Sequence, residues 1–580
     1  MNKVYQWLGV ASFALVLSSP AMAASLKVKG LNSSLEDNVD AYLSAISKDD
    51  YSNTLRFQEQ VKSEIDQALQ ALGYYQPTYD YHVKGSGKKT AITVTVDAGP
   101  RTHISQSNII ITGAAKDDPA FISLLKNSGL GIGMPLNQGK YEALKSALQS
   151  LAVRRGYFDA ELKNSELGVI PTRNEAIITL DFDSGRRYTF GDTHFTGSQI
   201  EDDRLRSMIP YTENEPYLAS KLGLYNERLS NVGWFSSIYV GGDVTKRKDD
   251  KIPIEVALTP QVKNQIETGI GFSTDTGPRL KFNWKKPWIT SNGHSFYLKS
   301  EISKEQPKLE AAYKIPLDDV LNNYYQIVGG IRYVDNHDTI STQLGLGVER
   351  HWKLSSGWDR TVSLHWLNEK YKQGGDEEGT FNVFLPGLSY SKSEFTGGVF
   401  PRSGSKYNFS VEFANKALGS NTNFVRLQAK SAWIRTLSEN QRGIFRVAGV
   451  AGVAGGAVLA DSIRDIPPSL RYFIGGDNSI RGYGYESISP RNDLGRMVGG
   501  QYMATSSIEY QYRLYGNWWG ALFYDYGSTW NDNKPDWMRG TGFGVRWASP
   551  VGPVRIDFAW GLDKPAKNKF ELHFTLGPEL

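Results

Sequence analysis

The chain has 580 residues, which is too long for one ordinary domain. It contains no cysteine, so disulfides and thiolate centres are excluded, and its net charge of +4 is too small to indicate a nucleic-acid-binding protein. Mean hydropathy is −0.40, aromatic residues make up 12%, and no apolar run approaches the roughly 18 residues of a transmembrane helix. This composition fits either a soluble β-rich protein or a membrane β-barrel.

Residues 1–23 have the pattern of a secretory signal peptide. Lys3 supplies the positive end, residues 8–17 a short apolar core, and Ala21-Met22-Ala23 a small-residue cleavage site. A membrane anchor, the alternative interpretation, needs a longer apolar core. We therefore expect a mature chain that starts near Ala24 and works outside the cytoplasm.

The next segment, residues 24–260, contains three copies of one spaced pattern. A strand ending in glycine recurs at Gly30, Gly113 and Gly197, which are 83 and 84 residues apart. A glycine followed by two aromatics recurs at residues 73–75, 156–158 and 233–235. A fixed period indicates repeated modules, and the apolar periodicities between these marks predict a β-α-α-β-β unit in each. We divide the modules at 24–100, 101–186 and 187–261.

Residues 262–580 alternate apolar with small or polar residues, as strands do when one face meets lipid and the other a polar lumen. Phe543, Val545 and Trp547 alternate with glycines and Arg546, for example. With strands of about 9–11 residues plus turns, this length accommodates a 16-stranded antiparallel barrel. A soluble β-sandwich would also alternate, but it would not explain together the signal peptide, the alternation of short and long connections and the motifs described below.

One long loop, at about residues 461–499, interrupts this alternation. Residues 473–485 carry four glycines and three aromatics without a strand or helix period. Long loops in compact domains are usually functional or disordered, and the aromatics argue against disorder. Within the loop, Ile480-Arg481-Gly482-Tyr483 places one arginine among apolar residues, where it needs an anionic partner.

The motifs that follow the loop in order, around residues 507–510, 523–527 and 542–558, resemble the C-terminal half of a known superfamily. It comprises the outer-membrane assembly barrels with periplasmic POTRA domains, including BamA, TamA and the two-partner-secretion transporters. In that family an [IV]-R-G-[FY] loop folds into the barrel lumen, and its arginine meets acidic wall residues. The resemblance implies that Arg481 meets Glu509 and Asp525. Three POTRA-like repeats directly before the barrel resemble the TamA branch.

The resemblance also implies a function: insertion of β-barrel clients such as autotransporters into the outer membrane. It implies contact with outer-membrane lipid and a TamB-like partner that spans the periplasm. The alternatives are a two-partner-secretion transporter and a passive channel. We find no metalloprotease, nucleophile-elbow or phosphate-loop motif. We therefore predict that the chain is not an enzyme and has no catalytic residue, metal or cofactor.

Clients are expected to enter through a weak seam between the first and last barrel strands. Glycines weaken the interior of the first strand, near residues 266–273, and the last strand, near 570–576, is followed by a proline that cannot donate to a ladder. The predicted seam residues are Ile266, Gly269, Gly271, Phe570, Leu572, Phe574, Gly577 and Pro578.

Overall fold

A computed structural model describes residues 25–84, 90–275, 277–396, 401, 403–439, 446–532, 534–549, 552–565 and 569–576. The predicted signal peptide lies outside these residues, as do Gly577 and Pro578 of the predicted seam. Within the described part, none of the helices is long and apolar enough to cross a bilayer. The chain packs as two units: one contains residues up to 193 with 211–222 and 242–254, and the other contains 194–210, 223–241 and the chain from 255 onward.

Three N-terminal modules each have two helices between their first and second strands, and a three-stranded sheet in the order first-third-second. The predicted β-α-α-β-β units are therefore confirmed, while the residue boundaries that we assigned to them stay a prediction. The elements are β1 Ser25–Lys29, α1 Ser33–Leu43, α2 Leu55–Ala71, β2 Thr78–Lys84 and β3 Ala91–Asp97; β4 His103–Thr112, α3 Pro119–Lys126, α4 Gln138–Arg154, β5 Glu161–Ile170 and β6 Glu175–Asp183; and β7 Thr189–Thr196, α5 Asp202–Arg206, α6 Ala219–Asn231, β8 Phe235–Gly242 and β9 Lys251–Pro260.

The modules have ordinary water-soluble cores. In the second module, Leu144 and Leu148 of α4 are buried against a sheet whose Ile178 and Leu180 are also buried. The glycine-aromatic marks end helices: after α4 the chain turns at Gly156, and the ring of the next residue enters the core. These marks are thus structural.

The second helices of modules two and three follow Pro135 and Pro216, as the positions of these prolines in the sequence predict. Each proline also forms a bridge with the first strand of its module, Pro135 with His103 and Pro216 with Thr189. Helix α4 begins three residues later, where Asn137 accepts a hydrogen bond from the backbone N–H of Lys140. The asparagine cap decides the helix start, because it satisfies a free N–H that proline cannot.

The remaining sixteen strands form a closed antiparallel barrel in which each strand pairs with its neighbours in sequence. This confirms the predicted fold class. The strands are β10 Gln265–Ser273, β11 Gly277–Lys286, β12 Ser295–Ser303, β13 Lys308–Pro316, β14 Asn323–Asn336, β15 Thr339–Lys353, β16 Asp359–Gln373, β17 Glu377–Thr396, β18 Ser403–Ala414, β19 Phe424–Glu439, β20 Arg446–Leu459, β21 Tyr502–Tyr515, β22 Trp518–Trp530, β23 Met538–Ser549, β24 Gly552–Gly561 and β25 Phe570–Leu576.

The barrel is apolar outside and polar inside. Ile270 and Leu522 are exposed on its outer face, whereas Glu369, Gln511 and Arg546 are buried. This is the pattern of a barrel whose outer face meets lipid. Several strands exceed the length expected from the sequence, and β17 reaches 20 residues.

Candidate functional site

The loop between β20 and β21 is packed inside the barrel. Ile474, Ile480, Arg481 and Tyr483 are all buried. The loop is closed on itself by bridges between residues 472 and 500 and between residues 474 and 488. We call residues 460–501 the lumen loop.

On one side, the lumen loop is tied to the ends of strands β12–β17. Arg471 forms an ion pair of 2.6 Å with Glu377, and both side chains are almost fully buried. Asn336 donates to Glu486, and Asp338 accepts from the backbone N–H of residue 497. These contacts hold the loop against the half of the barrel that precedes it in sequence.

On the opposite side, Arg481 lies between the two predicted wall residues. Its Nη1 donates to Glu509 Oε2 at 2.6 Å, and its Nε and Nη2 donate to the two oxygens of Asp525 at 2.8 and 2.9 Å. The Arg481 backbone N–H also donates to Asp525 Oδ2, at 3.0 Å. The guanidinium stacks over Phe523, 3.5 Å from the ring centre. Bidentate pairing of this kind compensates a buried arginine for the loss of its hydration.

A second arginine completes the site, and the sequence did not single it out. Arg546 donates to Glu509 Oε2 at 2.8 Å and to Asp557 Oδ1 at 2.6 Å. Asp557 also lies 3.5 Å from Arg481 Nη1. Arg546 occupies a predicted lumen-facing position, so alternation could have nominated it, although only the closed barrel shows that it meets Glu509 and Asp557. We call Arg481, Glu509, Asp525, Arg546 and Asp557 the arginine cluster.

Glycines create the space that the arginine cluster needs. Gly482 has φ +87, and a Cβ there would lie 2.5 Å from backbone atoms of both Trp560 and Gly561. A Cβ at Gly540 would lie 2.0 Å from the carbonyl oxygen of Arg481. A side chain at either position would force the loop away from the wall. Next to Gly482, the Tyr483 hydroxyl donates to the backbone carbonyl of residue 539.

The seam between β10 and β25 differs from the other strand junctions. Among the described residues, the two strands share one pair, Ser273 with Thr575. In contrast, β10 pairs with β11 over nine positions and β24 with β25 over seven. Near this pair, the backbone N–H of Thr274 reaches the carbonyl of Phe574 at 3.4 Å. The predicted weak seam residues thus lie where backbone pairing is shortest.

The described side chains of the predicted seam face outward. Ile266, Phe570 and Leu572 are exposed on the lipid side, and the Phe574 ring lies 6.1 Å from that of Phe272. Gly269 and Gly271 lie in the ladder with β11, opposite Lys281 and Arg279. Among the described residues, both glycines are thus paired with β11 and neither is paired with β25.

The lumen loop also reaches the seam, which sequence reasoning missed. Asp477 Oδ1 lies 2.6 Å from His573 Nδ1, and its Oδ2 accepts from the Thr575 hydroxyl at 2.7 Å. The backbone N–H of Asp477 donates to Asp275, in the turn after β10, at 2.9 Å. The pKa of Asp275 is raised to about 6, mainly because the carboxyl group is buried and secondly because the Asp477 carboxylate lies beside it.

The seam contains one group of described side chains whose ligand atoms are close enough to bind a single metal ion: Asp275, Asp477 and His573. The imidazole of His573 has other partners, however. Its Nε2 accepts from the backbone N–H of Gly482 at 2.9 Å, so the proton of the neutral ring is on Nδ1 and points to Asp477. An Nδ1 that donates a hydrogen bond cannot ligate a metal at the same time. The group acts as a hydrogen-bonded chain.

Comparison with known proteins now identifies the family. The model of the Omp85 superfamily domain matches residues 263–579, more than half of the sequence. The chain belongs to the Omp85 superfamily. Its barrel lies in the outer membrane and its POTRA domains in the periplasm. Residues 25–98 match the model of POTRA domain TamA domain 1.

Two Omp85 relatives are outer membrane protein assembly factors called BamA. The protein from Neisseria meningitidis serogroup B is 22% identical over 487 residues, covering 71% of this chain and 60% of the relative. That from Nitratidesulfovibrio vulgaris is 23% identical over 373 residues, covering 61% and 46%. The chain thus spans about half the length of these relatives. Such relatives are assembly factors rather than enzymes.

A solved structure shows the same fold. BamA from Haemophilus ducreyi lacking POTRA domains 1–3 superposes with a TM-score of 0.65 at 19% identity. The superposition covers 82% of this chain and 99% of that one.

Proposed function

We propose that this protein is an assembly factor that inserts and folds β-barrel clients in the outer membrane, with autotransporters among them. The observation that carries the proposal is the seam: in the described part of the chain, β10 and β25 share one backbone pair while neighbouring junctions share seven or nine. An unpaired strand edge in lipid costs several kcal/mol per unsatisfied group, so only a short junction can open. Once open, β10 offers a template on which a client strand can pair.

The experiment locks the seam. The chain has no cysteine, so the pair Phe272→Cys and Phe574→Cys provides the only two thiols, at positions whose rings lie 6.1 Å apart. A short bifunctional thiol reagent with a reducible link joins them. We expect the locked protein to remain folded in the membrane and to stop assembling clients, and reduction to restore assembly.

A matched control uses an ordinary junction. Phe543 and Phe558 lie directly opposite each other on β23 and β24, with ring centres 5.1 Å apart. Linking cysteines at these two positions should leave assembly unchanged, because this ladder does not open. Full client assembly by a completely linked seam would rule out lateral opening.

We also propose a TamB-like periplasmic partner that docks at the first module. The match of residues 25–98 to the TamA POTRA model supports this assignment. In the order β1-β3-β2, strands β1 and β2 are the edges of the sheet and can accept a partner strand. Removing residues 24–99 should abolish binding of the partner while the barrel still folds; unchanged binding would disprove docking at this module.

The channel alternative makes a different prediction. A passive pore needs an open lumen, whereas the lumen loop here contacts strands on opposite walls through Arg471 and Arg481. We expect brief, rare openings when the protein is reconstituted in planar bilayers. A large and steady conductance would favour the channel.

A further inference from the structure

Asp477 touches both sides of the seam at once. Its carboxylate is bonded to His573 and Thr575 of the last strand, and its backbone N–H is bonded to Asp275 in the turn that follows the first strand. Its side chain is 4% exposed. These bonds are shielded from water, and hydrogen bonds to a charged group are stronger in such a buried environment than in water.

The backbones of the two seam strands contribute few hydrogen bonds of their own. Among the described residues, β10 and β25 share the single pair of Ser273 with Thr575. Next to that pair, the backbone N–H of Thr274 reaches the carbonyl of Phe574 and the backbone N–H of Phe574 donates to the Thr274 hydroxyl. Asp477 alone adds three hydrogen bonds, two to β25 and one to the turn after β10. We propose that Asp477 is a positioning residue that acts as a latch, holding the seam shut through its bonds to β25 and to the turn after β10.

The latch is distinct from the arginine cluster, although both lie on the lumen loop. Among the described residues, Arg481 bonds to strands β21, β22 and β24 and not to β10, so this anchor holds the loop to the wall away from the first strand. His573 links the two anchors, because it accepts from Gly482 and donates to Asp477. A docked loop thus keeps the latch closed, and the latch transmits the position of the loop to the seam.

The role of the latch in assembly rests on the proposed lateral opening, but its physical effect does not. If the latch is released, the loop can stay in the lumen while the seam separates. If it is intact, separation must break the bond of Asp477 to Asp275 or those to His573 and Thr575. Opening the seam and releasing Asp477 are therefore one event.

The test measures seam separation directly in the full-length protein. Spin labels on Phe272→Cys and Phe574→Cys report the distance across the seam after reconstitution in vesicles of phosphatidylethanolamine and phosphatidylglycerol. We expect one short distance in the parent protein. Asp477→Leu keeps the approximate size of the side chain and removes its bonds to His573 and Thr575, while the backbone bond to Asp275 remains. This variant should raise the long-distance fraction roughly tenfold or more, since charge-assisted hydrogen bonds are lost.

Two variants control this result. Asp477→Asn keeps one acceptor oxygen for His573 and a group for Thr575, so it should restore most of the short distance. Asp493→Leu makes the same change at an exposed aspartate of the same loop and should match the parent. Labels on Phe543→Cys and Phe558→Cys should show the β23–β24 junction unchanged in every variant.

The outcomes are decisive in both directions. A folded Asp477→Leu protein that keeps one short distance overturns the latch. If that variant fails to fold, Thr575→Val removes a single bond of the latch without changing side-chain shape, and an unchanged distance distribution there overturns the proposal equally. The two proposals can fail separately. If Asp477→Leu widens the seam but the cross-linked protein still assembles clients, the latch stands and lateral opening is rejected. If Asp477→Leu leaves the seam distance unchanged and cross-linking stops assembly, lateral opening stands and the latch is rejected.

Discussion

The periplasmic modules and the barrel use the same residue types facing in opposite directions. Leu148 in the second module is 0% exposed, whereas Leu522 in the barrel is 61% exposed. Arg546 is buried in the barrel, and the arginines Arg154 and Arg173 of the second module are exposed. The modules are stabilised by removing apolar surface from water. The barrel leaves that surface to lipid and fills its interior with ion pairs, which demand accurate geometry.

The largest effect should come from the barrel interior. Arg481→Ala leaves Glu509 and Asp525 without one of their cations, and breaking a buried ion pair costs roughly 3–5 kcal/mol. We expect a marked fall in the temperature at which the folded barrel loses its compact mobility on gels, together with lower client assembly.

The matched control is Arg464→Ala, because Arg464 lies on the same loop and its ion pair with Asp376 is exposed. Exposed pairs contribute only about 0–1 kcal/mol, so this variant should behave like the parent. Equal losses in the two variants would show that burial of the pair is not what matters.

The direct test of the comparison exchanges leucines. Leu148→Ala leaves a cavity in a water-soluble core, so it should cost about 2–5 kcal/mol in urea unfolding of residues 24–260, which we expect to fold without the barrel. Leu522→Ala removes a side chain that faces lipid and should change the stability of the barrel much less. Comparable losses at both sites would contradict the inverted arrangement.

A smaller, pH-dependent effect is expected within the second module. Asp118 is buried at the start of α3, where Arg155 Nε and the Tyr157 hydroxyl donate to it at 2.8 and 2.9 Å. Burial alone would raise the pKa of Asp118, but these bonds and one from the backbone N–H of Ala120 outweigh it and lower the pKa. The pKa of Tyr157 is raised to about 12, mainly because the phenol is buried and secondly because it donates to the Asp118 carboxylate. The phenol therefore keeps its proton and remains a donor.

A lowered pKa in the folded state gives stability that is present above the ordinary aspartate pKa of about 3.9 and is lost as the pH falls below it. Asp118→Asn should therefore cost about 1–3 kcal/mol at pH 7, and the gap between variant and parent should narrow below about pH 4. Urea unfolding at several pH values measures this gap. A constant gap across the pH range would show that the charge of Asp118 contributes nothing.

The sequence predicted what local patterns encode. Alternation located the strands and their lipid faces, and the recurring glycines located the modules. The loop motif around Arg481 was visible for the same reason, because four glycines mark a backbone that no regular element can follow. Alternation also placed Arg546 toward the lumen.

What the sequence did not predict depends on closing the barrel. Asp477 and His573 are 96 residues apart, and they meet only because the loop folds back past the last strand. Pairing across the seam is likewise a matter of register between the first and last strands, which no local pattern sets.

The order of residues in the arginine cluster has a consequence for how this barrel is itself made. Glu509, Asp525 and Asp557 all follow Arg481 in the chain, and His573 of the latch follows them. The Arg471 side of the loop can dock on strands that precede it, but the Arg481 side has nothing to dock against until the strands synthesised after it have formed. Contacts between distant parts of a chain are slow to form. Docking of Arg481 and closure of the seam are thus the last steps in the maturation of this barrel, and a chain arrested before them would expose both strand edges.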